Sequence, residues 1–429
     1  VARQASPPAT GSALSSRPQV TLEPGVFEPW AWDRSVELLV TAPDRSASLP
    51  PEPWTLQSQQ QLQDALAHNP ASPASIAAAE ALLSCSDSVS LQQQADALRQ
   101  ELAGETVTYV VNRNLNFTNH CVQHCSFCAF RRDAGAPGAY WHDLELLRSK
   151  AAEAAALGAT ELCIQGGLNP AARTNGSALR YYVDLLEALR DAAPGLHLHA
   201  FSPQELLFIA EQDGSALQAV LEQLRSAGLA SIPGTAAEVL SDGVRAQLCP
   251  EKISARQWCA VILQCHRLGL ASTATLMAGH IENARDRALH LLTLVALQQE
   301  ALRAGKAGFS EFVLLPFIGA QAPAALRHRV GRDQPDRLEM LRLTAQARLL
   351  LGPWFRNHQP SWVKLTLAGA TEALRWGCND LGGTLMEESI TSMAGAQGGT
   401  CQSAQALRSA ALTLGRPVRE RTTLYGAVS

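Results

Sequence analysis

Three cysteines, Cys121, Cys125 and Cys128, stand within eight residues at the spacing C-x3-C-x2-C. An odd number of thiols in loops this tight does not make a disulfide framework. It suits a metal. A structural zinc takes four closed ligands, and no fourth Cys or His stands nearby at a paired spacing; His120 and His124 fall beside the cysteines instead. Three cysteines on a [4Fe-4S] cluster leave one iron without a protein ligand, and that iron can take a small molecule. A zinc site or a chance group of buried thiols is the alternative.

The elements that must hold these cysteines can be read from apolar periodicity. Residues 1–55 are rich in Pro, Ser and Ala and read as an irregular extension or linker. Within them Pro29-Trp-Ala-Trp32 is an apolar spot able to dock on the body. Residues 56–104 carry Leu62, Leu66, Ile76, Leu82, Leu83, Leu91, Ala95, Leu98 and Leu102 at helical spacing. This predicts a lead-in of two or three short helices, broken at Pro70, Pro73 and Ser86–Ser88. From 105 to 390 strand and helix alternate. Strands are expected at 107–111, 161–164, 197–200, 231–233, 272–277, 311–315, 362–365 and near Leu381. Helices are expected at 143–157, 178–192, 203–227, 236–246, 255–268, 284–303, 335–351 and 368–376. Eight such units predict an α/β fold, a (β/α)8 barrel of the TIM type, with residues 391–429 packing on it. The cysteines follow the first expected strand directly, and strand C-terminal ends build the active site of such barrels.

Other polar motifs fall at the same ends. Gly166-Gly167 follows the second strand; a glycine pair lets backbone approach a ligand, or makes a plain turn. Ser202 and Glu205 follow the third, Thr235 and Glu238 the fourth, Gly279 and His280 the fifth. Ser202, Thr235 and Glu205 also fit helix capping.

The cysteine spacing, with Phe127 before the last cysteine, resembles the radical S-adenosylmethionine superfamily. The stretch from Tyr109 through Asn112, Asn116 and Asn119, with Cys128-Ala-Phe130 behind it, is similar to the branch holding FO synthase and the futalosine-route enzymes of menaquinone synthesis. Ile232–Leu240, Ser310–Phe317, Cys378–Glu388, Ser389–Gly395 and Arg419–Gly426 resemble the tyrosine-cleaving subunit family of FO synthase, from about residue 60 to the C-terminus. Futalosine enzymes share Asn379-Asp380 but tend to differ at Gly382-Gly383-Thr384. Met277-Ala278-Gly279 departs from the pattern, with Ala where an aromatic residue is expected.

The resemblance implies a [4Fe-4S] cluster on Cys121, Cys125 and Cys128, with S-adenosylmethionine bound by Phe127, Gly166, Gly167, Ser202, Glu205, Gly279 and His280. One-electron cleavage of S-adenosylmethionine would start abstraction of hydrogen from L-tyrosine. The tyrosine Cα–Cβ bond would then break, and the 4-hydroxybenzyl fragment would join C5 of 5-amino-6-(D-ribitylamino)uracil. A partner, subunit 1 of FO synthase, would close the ring, and a one-electron donor is needed. Neither substrate carries phosphate, so the contacts expected are amides and carboxylates: Asn112, Asn116, Asn119, Thr235, Glu238, Asn379, Asp380 and Glu387, with Arg113 for the tyrosine carboxylate.

Composition bounds the rest. The chain has 429 residues, 46% of them hydrophobic, and a net charge of −4. The slight acidity and lack of a basic run argue against a nucleic-acid partner. No stretch of about 18 uncharged apolar residues predicts a membrane span. Ten cysteines with a metal-type cluster suit a reducing compartment, the cytoplasm or an organelle. The first residue is Val1, which suits a processed form or a piece of a two-part synthase. Arg, Ser and Ala near the start would also suit a transit-type segment.

Overall fold

The computed structural model describes residues 34–43 and 53–428. Four helices lead in: α1 (Arg34–Val40), α2 (Leu56–His68), α3 (Pro73–Ser84) and α4 (Ser88–Ala103). Thr55, Ser72 and Asp87 cap the last three through their side chains, satisfying N–H groups that a helix start leaves orphaned. The breaks fall where Pro70, Pro73 and Ser86–Ser88 place them. Helix α1 is a departure, since residues 1–55 were expected to be irregular. Its Val36 and Leu39 are buried in the hydrophobic core; seven residues are too few to show a period. The Pro29–Trp32 spot lies outside the described residues.

Strand and helix then alternate: β1 (Val107–Val110), β2 (Asn112–Asn116), α5 (Leu144–Ala156), β3 (Glu161–Gln165), α6 (Ala178–Ala192), β4 (His197–Ala200), α7 (Pro203–Asp213), α8 (Leu217–Ala227), β5 (Leu229–Ile232), α9 (Asp242–Leu248), α10 (Ala255–Arg267) and β6 (Ala271–Ala278). The second half runs α11 (Ala284–Arg303), β7 (Phe309–Pro316), α12 (Ala324–Val330), α13 (Arg337–Leu351), β8 (His358–Pro360), α14 (Trp362–Ala373), β9 (Asp380–Gly383), α15 (Ile390–Met393), α16 (Ala404–Leu412) and β10 (Val418–Glu420). Seven strands form one parallel curled sheet, β2-β3-β4-β5-β6-β7-β8, and β10-β1-β9 form a second parallel sheet. Strand β9 joins the two. On one side Asn379 N–H reaches His358 O at 3.1 Å; on the other, Thr384 N–H reaches Val110 O at 3.1 Å. The result is the expected α/β barrel with a helical lead-in.

Four boundaries differ from expectation. The first expected strand is two: β1 pairs with β9 and β10, while β2 is the one that pairs with β3. Asn112–Asn116 is therefore strand, not loop. Residues 203–227 form two helices because Gly214 takes a left-handed C-cap at φ 58°. The helix expected from 236 begins at Asp242, because the buried Arg245 guanidinium donates to the carbonyls of Ala236 and Ala237 (3.2 and 2.6 Å) and holds that loop open. Residues 362–365, expected as a strand, open α14; Trp362, Val363 and Leu365 are buried around Lys364, and so short a run has no period to separate strand from helix.

Candidate active site

A cavity of about 410 Å³ opens at the C-terminal ends of the barrel strands. Cys121, Cys125 and Cys128 line it together with Phe127. Their loop is pinned from two sides. Val122 N–H donates to Leu168 O (3.1 Å), beyond β3, and Ser126 N–H to Leu248 O (2.9 Å), at the end of α9. Gln123 Nε2 reaches Glu251 O at 2.9 Å, and His124 N–H reaches the Glu251 carboxylate at 2.7 Å.

The donor set fits a multi-iron cluster. Cys121 and Cys125 each feel the charge of Cys128. Yet among the described residues no group of three His, Cys, Asp or Glu converges tightly enough for a single ion. Thiolates that are neighbours without converging on one point suit a cluster better than one zinc. Burial pushes the Cys125 thiol up to about 12 and raises that of Cys121, so these two become thiolates as a metal supplies the opposing charge.

The glycine pair sits beneath this loop. A Cβ on Gly167 would stand 2.1 Å from His120 O, and one on Gly166 would stand 2.6 Å from the Phe117 ring. The glycines are thus required by packing of the β3 end against the cysteine loop. Their amides are spent: Gly166 N–H donates to Glu205 (2.9 Å) and Gly167 N–H to Thr118 O (2.8 Å). What the turn offers a ligand is carbonyl oxygen, an acceptor that suits an ammonium. Ser202 and Glu205 form a capping box at the start of α7 and also line the cavity. Burial raises the Glu205 carboxyl to about 7, against the hydrogen bonds from Ser202 and Gly166 that favour its charged form.

The remaining expected residues divide. Strand pleating explains part of it: Asn112 and Asn114 of β2 face the cavity, while Arg113 between them faces outward. Arg113 is held by Glu153 (2.7 Å) and Glu387 (2.9 Å), so neither Arg113 nor Glu387 meets a ligand in the cavity. Asn114 Oδ1 is buried without a hydrogen-bond partner among the described residues, a vacancy for a ligand donor. Thr235 lines the cavity and accepts from Gln165 at 2.7 Å. Glu238 lines it too, at φ 46°, and is paired with Lys252 at 2.6 Å. Asn116 joins Gln165 O to Ser389, and Asn119 clamps Gly138 O and Tyr140 N–H; neither lines the cavity.

Gly279 and His280 also lie outside the lining. His280 is closed into a pair with Glu282 at 2.9 Å. Burial pushes the Glu282 carboxyl up, but His280 and Arg287 more than offset it and hold it well below the usual range. Asn379 is buried against Arg348 (2.9 Å) and His358 N–H. Asp380 forms a two-bond pair with Arg421, at 2.6 and 2.9 Å.

The sequence reading missed the cavity floor. Glu161, His199, Glu311, Arg421 and Thr423 line it, with Lys252 and Lys364 higher up. Burial lowers His199 to about 4, leaving it neutral beside Ser231 at 2.7 Å. Burial also pushes the Glu311 carboxyl up. Inward parity on β3, β4 and β7 could have found three of these; Arg421 and Thr423 fall in Arg419–Gly426, a stretch marked by the resemblance but given no role. The lysines had one: the chain holds only four, at 150, 252, 306 and 364.

Comparison with known proteins agrees with this architecture. The Radical SAM superfamily model matches residues 115–294, and that of the CofH/MqnC C-terminal region matches 306–426. Solved structures sharing the fold include methylornithine synthase (PylB), with TM-score 0.60 and 14% identity over 83% of this chain and 97% of that one. The FeFe-hydrogenase maturase HydG from Carboxydothermus hydrogenoformans gives TM-score 0.61 at 15% identity, over 86% of this chain and 80% of that one. Among curated relatives, the 5-amino-6-(D-ribitylamino)uracil--L-tyrosine 4-hydroxyphenyl transferase of Cyanothece sp. is 58% identical over 78% of this chain and 88% of its own. That of Synechocystis sp. is 58% identical over 80% and 89%. The chain belongs to the radical SAM superfamily and, within it, to the family of these 4-hydroxyphenyl transferases.

Proposed function

We propose that this chain cleaves the Cα–Cβ bond of L-tyrosine and joins the 4-hydroxybenzyl fragment to 5-amino-6-(D-ribitylamino)uracil, the step that leads to the deazaflavin chromophore FO. The observation that carries the reading is one cavity in which three cysteines at one end face a buried polar floor at the other. When bound, a [4Fe-4S] cluster on Cys121, Cys125 and Cys128 with S-adenosylmethionine supplies the one-electron chemistry that starts the reaction. The protein's own groups do the rest. Gly166 and Gly167 offer carbonyl acceptors, and Glu205 stays locked to Ser202 and Gly166 N–H. Phe130, Leu168, Phe317, Val363 and Leu385 give the cavity apolar walls that keep water from a reactive carbon radical. Glu161, His199, Glu311 and Thr423 present hydrogen-bonding groups of the kind a uracil and a ribityl chain need.

A one-electron donor would meet the cysteine loop where Val122 is 48% exposed, and a partner radical enzyme would take the coupled product to ring closure. Asn379-Asp380 is shared with futalosine-route enzymes, so a futalosine-pathway activity is the second reading; the 58% identical relatives favour the first. Anaerobically reconstituted protein with tyrosine and the ribitylaminouracil should give a coupled product by mass. Turnover of a futalosine-route intermediate in place of that product would reverse the choice.

A further inference from the structure

Tyrosine enters this cavity with an α-carboxylate that must leave water, and a buried carboxylate needs a cation or several hydrogen-bond donors. The cationic side chains lining the cavity are Arg131, Lys252, Lys364 and Arg421. Three already have a carboxylate partner within the protein, although that of Arg131 is exposed and the Arg131 Nε is buried without a partner among the described residues. Arg131 pairs with Asp133, Lys252 with Glu238 at 2.6 Å, and Arg421 with Asp380 and Glu311. Lys364 differs: among the described residues its ammonium makes no hydrogen bond or ion pair. Its nearest acids by charge are Glu388 and Glu238. Glu388 is turned to Thr391 N–H (2.6 Å) and Ser392 N–H (2.9 Å), and Glu238 to Lys252.

The backbone fixes where Lys364 stands. It lies in the first turn of α14, directly after β8, with its N–H bonded to Ser361 O at 3.2 Å. Trp362 before it is fully buried and donates Nε1–H to Gly383 O at 2.9 Å. This anchors the turn to β9. Burial pushes the ammonium down to about 8, so it is still mainly charged at neutral pH. Arg113, the cation expected from sequence to meet the carboxylate, is engaged outside the cavity.

Resting on the functional reading above, we propose that Lys364 binds the α-carboxylate of L-tyrosine. The ammonium is then the group that separates the amino acid from its decarboxylated analogue.

The test is equilibrium binding to reconstituted enzyme with the cluster oxidised and S-adenosylmethionine present, so that nothing turns over. L-Tyrosine and tyramine, which lacks the carboxylate, are the two probes. Lys364→Met should weaken tyrosine by about 10- to 100-fold and leave tyramine within about twofold, as expected for a group that acts on the carboxylate alone. Lys364→Arg should recover most of the tyrosine affinity, with iron content and melting temperature matched across variants. Equal weakening of both probes, unchanged tyrosine affinity, or a selective loss of S-adenosylmethionine binding would overturn the assignment. A wild type that forms the coupled product while Lys364→Met keeps full tyrosine affinity refutes the anchor alone. A wild type that neither binds nor consumes tyrosine refutes the functional reading and the anchor together.

Discussion

Arg421→Met tests the claim that the C-terminal segment is part of the barrel floor. The Arg421 guanidinium bonds Asp380 at 2.6 and 2.9 Å and approaches Glu311 at 3.4 Å. It also lies 4.0 Å above the Tyr425 ring. Asp380 is fully buried. Without Arg421 it keeps only Thr108 Oγ1–H at 2.5 Å and Gly382 N–H at 2.7 Å. Removing one partner of a buried ion pair costs about 3–5 kcal/mol, because the other charge is left uncompensated. At about 2.1 cal/mol/K per residue, a folded body of roughly 390 residues melts with an entropy near 0.8 kcal/mol/K, so Tm should fall by about 4–6 °C. The assay is a urea titration and a thermal melt read by tryptophan fluorescence. Adding Asp380→Asn to Arg421→Met removes the stranded charge and should restore about 1–2 kcal/mol. A single variant within about 1 kcal/mol of wild type, or a double variant less stable than the single, would refute the reasoning.

Three further outcomes follow from the site. Gly167→Ala sets a Cβ 2.1 Å from His120 O, a backbone atom that cannot swing aside. The cysteine loop must shift, so iron bound per chain after reconstitution should fall by more than half while far-UV circular dichroism is retained; full iron loading would contradict the packing described. Tyrosine affinity should decline as pH rises through about 8. Lys364 has a depressed value there, faces Glu388 and Glu238, and loses its proton and its hold on a carboxylate above that point. The decline should be absent in Lys364→Arg, whose charge persists to far higher pH. By the same shift, stability should rise between about 8 and the unfolded lysine value, where the unfolded chain binds more protons.

The barrel was legible because its evidence is local. Helix α6 begins and ends at the expected residues, with Ser177 as its side-chain cap and an apolar face of Leu185, Leu186 and Leu189. The cysteine loop was legible for the same reason: its spacing lies within eight residues. What was not legible depends on distant pairing. Asn112, Arg113 and Asn116 read as substrate contacts, yet residues 112–116 pair with Glu161 to Gln165 as strand β2, and pleating then sends Arg113 outward. Asn379 and Asp380 read as substrate contacts, but Arg348 and Arg421, remote in sequence, take them into the frame. His280 beside a glycine suggested a ligand, whereas Glu282, two residues on, closes it off. In each case a polar side chain was visible and its partner was not.

The most direct measurement follows carbon from tyrosine into product. Reconstituted enzyme is given the ribitylaminouracil with L-tyrosine carrying ¹³C at Cβ in one reaction and at Cα in another, and the coupled product is weighed. Label from Cβ should appear in the product, label from Cα should not, and Cys125→Ala should abolish both the product and 5′-deoxyadenosine. Retention of the Cα label, or product formed without Cys125, would contradict the account.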